Sequence, residues 1–166
     1  MPNIVYNASQ ERKRKSSFLS VLSIFLILFL DRVSKADISS KLSPGESMPI
    51  IKNVLHLTFV KNTGAAFGLF KNSTYFFITV SVIAVVIIGA ILLKAIRNDK
   101  FFCNFIFNFS LILIMSGALG NLIDRVSLRY VIDFIDFRIW PVFNFADSAI
   151  TIGTVLLLIS FTKKTV

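Results

Sequence analysis

The chain has 166 residues, 55% of them apolar and only 16% charged, with a mean hydropathy of +0.76, which excludes a water-soluble domain of ordinary composition. Its formal charge is +9 at pH 7, yet the sequence holds no basic stripe with interleaved aromatics, and the eighteen Phe sit mainly inside apolar runs, so no nucleic-acid partner is expected. One cysteine, Cys103, and one histidine, His56, cannot assemble a disulfide framework or a Cys/His zinc site within one chain. No metal or cofactor is therefore expected.

The first apolar run, from Phe18 to Leu30, follows the basic cluster Arg12-Lys13-Arg14-Lys15. That layout also describes a signal peptide, but no small-residue cleavage site follows. A crossing needs about 20 helical residues, so the span is predicted over about 17–35, which brings Asp31 to or just beneath the far interface. The dozen residues before it read as a polar tail. An outer segment of about 36–72 is long enough to fold: Pro44-Gly45 reads as a turn, and Leu55, Leu57 and Phe59 alternate with His56, Thr58 and Val60 in strand fashion. The expectation is a small β-cradle lying on the membrane. Further spans are predicted over about 74–95, 101–121 and 143–162. Between the last two, an outer loop of about 125–141 carries Tyr130 and Trp140, which suit an interfacial position.

The whole chain thus reads as one integral membrane domain, an all-α bundle of four transmembrane helices with an extracytoplasmic β-cradle and an interfacial loop. Four spans place both termini on one side. Lys and Arg divide evenly between the two sides, but the Arg12–Lys15 cluster beside the first span places the termini in the cytoplasm under the positive-inside rule.

Of nine acidic residues, only Glu11 and Asp99 fall on the cytoplasmic side of this topology. Ionisable groups near hydrocarbon are costly and mark function or a paired structural contact. Asp31 and Lys35, four apart, share a helix face, either as a structural ion pair or as a device that positions substrate or the next segment. Asn121, Asp124 and Arg125 follow Gly117 and Gly120 at the outer end of the third span as a close-packed polar corner, from which Arg125 could hold a carboxylate of another element. Asp133 is embedded in Val131-Ile132-Asp133-Phe134, and Asp147 lies about one turn into the fourth span, on the helix face of Asn144.

If the outer loop folds back, Asp133 and Asp147 meet and share a proton, because two adjacent carboxylates do not both ionise easily. Such a pair can hydrolyse a peptide, one member as general base and the other as general acid. The competing reading makes Asp147 a helix cap and Asp133 a surface charge. No His-Glu-x-x-His or Gly-x-Ser-x-Gly motif occurs, and Ser34-Lys35 and Ser40-Lys41 are adjacent in sequence and point differently on a helix, against a serine–lysine dyad. A proton-coupled carrier using outer-side carboxylates is the rival function, with a non-enzymatic scaffold behind it.

Five ordered blocks, Asp31-x-x-Ser-Lys35, Asn62-Thr-Gly-Ala-Ala-Phe-Gly68, Gly117-x-x-Gly-Asn-x-x-Asp-Arg125, Val131-Ile-Asp-Phe134 and Phe143-Asn-x-Ala-Asp147, resemble the lipoprotein signal peptidases, the type II signal peptidases of bacteria. The resemblance implies an intramembrane aspartic endopeptidase of the bacterial inner membrane, and a monomer is expected. It would remove the signal peptide of a diacylglyceryl-modified prolipoprotein just before the lipidated cysteine. It further implies Asp133 and Asp147 as the catalytic pair; Asn62, Gly117, Asn121, Arg125, Asn144 and Ala146 as pocket residues; Asp31 in support; and a short extracytoplasmic helix beside an active site near the outer face. Lys35 and Asp124 join the support by the reading of the polar corner given above. Gly64 and Gly68 are expected to let the outer segment clamp over substrate. One departure stands out: where the family commonly has Gly, this chain has Arg129.

Overall fold

The structure, a computed structural model, describes residues 2–64, 73–98 and 105–162. Its elements run α1 (Pro2–Lys41), β1 (Ser47–Ile51), β2 (Leu55–Asn62), α2 (Thr74–Arg97), α3 (Phe105–Leu128), β3 (Val131–Asp136) and α4 (Phe145–Thr162). All four helices are long and apolar enough to cross a membrane. α3 is the central one, in contact with α1, α2 and α4. Its apolar side packs Leu111, Ile112 and Met115 against Ile88 and Leu92 of α2.

Small residues line the α3–α4 seam. A Cβ at Gly117 would run into the Ala146 carbonyl oxygen and Ile150, and one at Gly153 would come within 2.8 Å of the Ser110 carbonyl oxygen and of Ile114. Both glycines therefore let two backbones approach where lipid supplies no hydrophobic drive.

The first span extends beyond its predicted limits at both ends. At 40 residues, α1 is roughly 60 Å long at about 1.5 Å per residue, about twice the hydrocarbon thickness. The expected tail is helical from Pro2, and residues 36–41, expected in the outer segment, continue the helix. The cause at the latter end is burial. The stripe that carries Asp31 and Lys35 continues as Ile38 and Leu42, which pack under Phe59 of β2 and Ile132 and Phe134 of β3.

The third helix likewise runs to Leu128, past the expected limit at 121; residues 101–104, where that span was expected to begin, lie outside the described residues. The loop expected over 125–141 starts inside α3 and holds β3, the third strand of the cradle. Among the described residues no interfacial helix is present there.

The cradle is an antiparallel sheet of order β1-β2-β3. Ser43-Pro44-Gly45-Glu46 closes the expected turn, with Glu46 N–H donating to the Ser43 carbonyl at 2.9 Å and Gly45 at φ +89°. Pro at the second and Gly at the third position is the requirement of a type II turn. β2 pairs with β3 from His56↔Asp136 to Asn62↔Val131, with Val60 opposite Asp133, across a register shift between Leu57 and Val60. This pairing fixes Asp133 beside the membrane bundle although it is distant in sequence from β2. Replacing Ile38, buried under both strands, by Ala should lower unfolding stability by about 2–4 kcal/mol, measured by denaturation in mixed micelles.

Candidate active site

A group of buried charges at one end of the bundle organises the site. Asp31 and Asp124 are fully buried, and carboxylates in that position must be paired. Lys35 Nζ lies 3.0 Å from Asp31 Oδ2 and 2.8 Å from Asp124 Oδ2. Arg32 completes the set, donating to Asp124 Oδ1 at 2.6 Å, to Asp31 Oδ2 at 2.7 Å and to the Gly120 carbonyl at 3.1 Å. Gly120 is glycine for a local reason, since a Cβ there would come within 2.9 Å of Asp31 Oδ2.

The remaining lone pairs of these carboxylates reach the two segments that carry the paired acids. Asp31 Oδ1 accepts the backbone N–H of Ala146 at 3.1 Å, one residue before Asp147. Asp124 Oδ2 accepts that of Ile132 at 3.2 Å, one residue before Asp133. The Asp31–Lys35 pair is thus an ion pair, and Asp31 in addition holds the start of α4. Arg32 escaped the sequence analysis. Its signal was a cation at the apolar end of a span, directly after an acid.

Three asparagines arrange the two acids. Asn62 Nδ2 donates to Asp133 Oδ2 at 2.9 Å. Asn144 Nδ2 donates to Asp133 Oδ1 at 2.7 Å, and also contacts Asn121 Oδ1 at 3.1 Å and the Ile132 carbonyl at 3.3 Å. Asn121 Nδ2 donates to Asp147 Oδ1 at 2.7 Å, while its own oxygen accepts from Lys35 Nζ at 3.2 Å.

The fourth helix begins two residues later than expected, at Phe145, so Asn144 precedes it as a cap. Asp147 N–H donates to Asn144 Oδ1 at 2.8 Å and Asn144 N–H to Asp147 Oδ2 at 3.2 Å, a reciprocal capping arrangement. Asp147 therefore does cap its helix, and it also borders the cavity. Asp133, by contrast, is 2% exposed and is no surface charge.

The environment of β3 sets two carboxylates apart. Burial, reinforced by the negative charge of Asp147, pushes Asp133 up to about 7, against the opposing donors Asn62 and Asn144 and the charge of Lys35. Three residues on, burial of Asp136 is outweighed by hydrogen bonds from Thr58 and Arg138, which hold it below the usual carboxylate range. A strand with one acid pushed up in a cavity and another held low outside it separates the reactive candidate from the structural one.

The cavity has a volume of about 820 Å³. Its polar end is formed by Asn62, Asn121, Arg125, Asp133 and Asp147, and its apolar wall by Phe77, Val80 and Ala84 of α2, Ile114 of α3 and Ile150 and Ile152 of α4, beneath Trp140 and Pro141. Arg125 stacks 4.9 Å over the Phe77 ring and donates to the Gly64 carbonyl at 3.3 Å, fastening the segment just after β2 to the bundle. Gly117 and Ala146, expected among the pocket residues, pack against each other in the α3–α4 seam, and Asn144 bridges the two acids. Gly68 lies outside the described residues. Ser34 Oγ and Ser40 Oγ donate to the carbonyls of Leu30 and Asp37, which leaves neither poised as a nucleophile. No cluster of metal-ligating side chains occurs among the described residues.

The sequence profile described as Signal peptidase (SPase) II matches residues 23–163. A lipoprotein signal peptidase of Clostridioides difficile is 46% identical over 143 residues, covering 85% of this chain and 93% of the relative. One of Halothermothrix orenii is 45% identical over 136 residues, covering 82% and 90%. Among solved structures, a bacterial membrane enzyme determined by the in meso method at 2.3 Å is similar, with a TM-score of 0.80 and 33% identity over 89% of each chain.

Replacing Lys35 by Met removes the shared partner of two buried carboxylates and should cost about 3–5 kcal/mol of stability. Arg32→Gln should cost less, about 1.5–3 kcal/mol, because its side chain is 34% exposed. Denaturant titration in mixed micelles ranks the two.

Proposed function

Because the chain belongs to the signal peptidase II family, and so is a multi-pass membrane protease that removes signal peptides from prolipoproteins, we propose that Asp133 and Asp147 form the aspartic dyad that performs the cleavage. The observation that carries this reading is the pair of acids on one cavity, joined through Asn144 and flanked by neutral amide donors. Such a pair titrates as a unit. In its singly protonated state the ionised member takes a proton from water as the oxygen attacks the scissile carbonyl carbon. The protonated member donates to the carbonyl oxygen, and the tetrahedral diol collapses as a proton reaches the departing amine.

The substrate, as the resemblance to the lipoprotein signal peptidases implies, is a diacylglyceryl-modified prolipoprotein cut before its lipidated cysteine, and the apolar wall between α2 and α4 suits a substrate that stays partly in the bilayer. Asn62, Asn121 and Arg125 are the side chains that meet it. Asn144 orients both acids, Gly117 and Ala146 set the helix spacing beneath them, and Asp31, Lys35 and Asp124 hold the frame. On this reading the Arg12–Lys15 cluster beside the first span supports termini in the cytoplasm and a dyad near the outer face, in a protein that acts as a monomer. A carrier is not favoured, since the buried carboxylates among the described residues collect at one end of the bundle.

Asp133→Asn and Asp147→Asn should each lower cleavage of a diacylglyceryl-modified prolipoprotein at least about a hundredfold, with stability retained; full turnover by either variant would remove the dyad. Activity should fall as pH rises through about 7, as the shared proton leaves the pair. Asn62→Ala removes a donor that favours the ionised carboxylate, so the alkaline limb of the pH–rate profile should move to higher pH.

A further inference from the structure

At the end of the bundle nearest the cradle, α2 begins at Thr74 and α3 ends at Leu128, so the next residues of each mark the membrane interface. Thr74 Oγ1 ties the two ends together by donating to the Arg129 carbonyl at 2.9 Å. Arg129 itself is held at φ +71°, a conformation that disfavours an L side chain, and its N–H donates to the Arg125 carbonyl at 3.2 Å.

The Arg129 guanidinium lies 5.4 Å over the ring of Tyr75, which is 71% exposed. On the facing strand Lys61 Nζ lies 5.0 Å over the ring of Tyr130, the residue after Arg129. Among the described residues neither cation forms an ion pair with a carboxylate, in contrast to Arg32, Lys35, Lys41 and Arg138. Stacking occupies the flat face of a guanidinium and leaves its N–H edge free for a phosphate. Directly below, Phe76 of α2 and Val126 and Leu128 of α3 are exposed, an apolar wall of the kind that faces acyl chains.

We propose that Arg129 and Lys61, backed by Tyr75 and Tyr130, form a binding surface for the headgroup of an anionic phospholipid in the leaflet at this end of the bundle. Two unpaired cations standing on aromatic rings over a lipid-facing wall match an anionic phosphate above two acyl chains. The surface is separate from the dyad, and its occupancy is measured without cleavage.

The test is native mass spectrometry of the full chain in detergent, titrated with phosphatidylglycerol or with phosphatidylcholine of the same acyl chains. Phosphatidylglycerol should be retained preferentially. Arg129→Gly and Lys61→Gln should each weaken that retention about fivefold, the effect of one cation near an anionic headgroup. Lys41→Gln, which removes a cation already paired with Asp37, should leave it unchanged. Glycine suits the backbone at 129; should that variant misfold, Arg129→Asn removes the same charge at a residue that also tolerates positive φ. Equal retention by parent and variants, equal retention of the two lipids, an equal loss in Lys41→Gln, or displacement of the lipid by millimolar inorganic phosphate would each overturn the proposal.

Discussion

Two carboxylates that never see solvent, Asp31 and Asp124, govern this structure. Near a bilayer their charge is tolerable only with close partners, and Lys35 and Arg32 both meet both of them. The pairing locks α1 to α3. Because each carboxylate has a lone pair left over, the same cluster also grips α4 through the Ala146 N–H and β3 through that of Ile132. Four elements distant in sequence are thereby fixed around one set of charges. A salt bridge of this kind is weak evidence for stability as such, since burying ions costs about as much as their attraction returns. Its consequence here is positional: the residues it holds are the immediate neighbours of Asp147 and Asp133.

That arrangement explains what could be read from the sequence and what could not. The four spans were legible because hydrocarbon demands long apolar runs and little else resembles them. The alternation over residues 55–60 made most of the cradle strand β2 legible. The third strand was not. Val131-Ile-Asp-Phe-Ile-Asp is buried at nearly every position, so it shows no alternation, and only its pairing with β2 reveals it as a strand. The extension of α1 was missed for the opposite reason: Ser39, Ser40 and Lys41 look like a polar loop, while the periodic Ile38 and Leu42 that hold the helix under the sheet are only two residues.

At the site, the convergence of Asp133 and Asp147 could be stated only as a condition on how the loop folds, and β2–β3 pairing together with the Asn144 cap meets that condition. Arg32 was overlooked because an exposed-looking cation beside an acid is ordinary on a surface. Only the burial of both its partners distinguishes it. Gly117 and Ala146 form a helix seam that the motif alone does not disclose, where the Cβ missing from one residue is the space occupied by the other's carbonyl.

The choice of asparagine around the proposed dyad follows from the same electrostatics. A dyad working by acid and base must hold one proton between two carboxylates near neutral pH. Apolar neighbours would leave burial unopposed and favour two protonated acids, with no base. A cation bonded directly to either oxygen pair would favour two ionised acids, with no donor. Asn62, Asn121 and Asn144 supply N–H groups without net charge, which offsets part of the desolvation and stops short of full ionisation. Lys35 acts on the pair at one remove, with the Asn121 amide interposed, and Arg125 spends its hydrogen bond on the Gly64 carbonyl. Positive charge is thus close enough to temper the two acids, and among the described residues no hydrogen bond brings it onto either one directly.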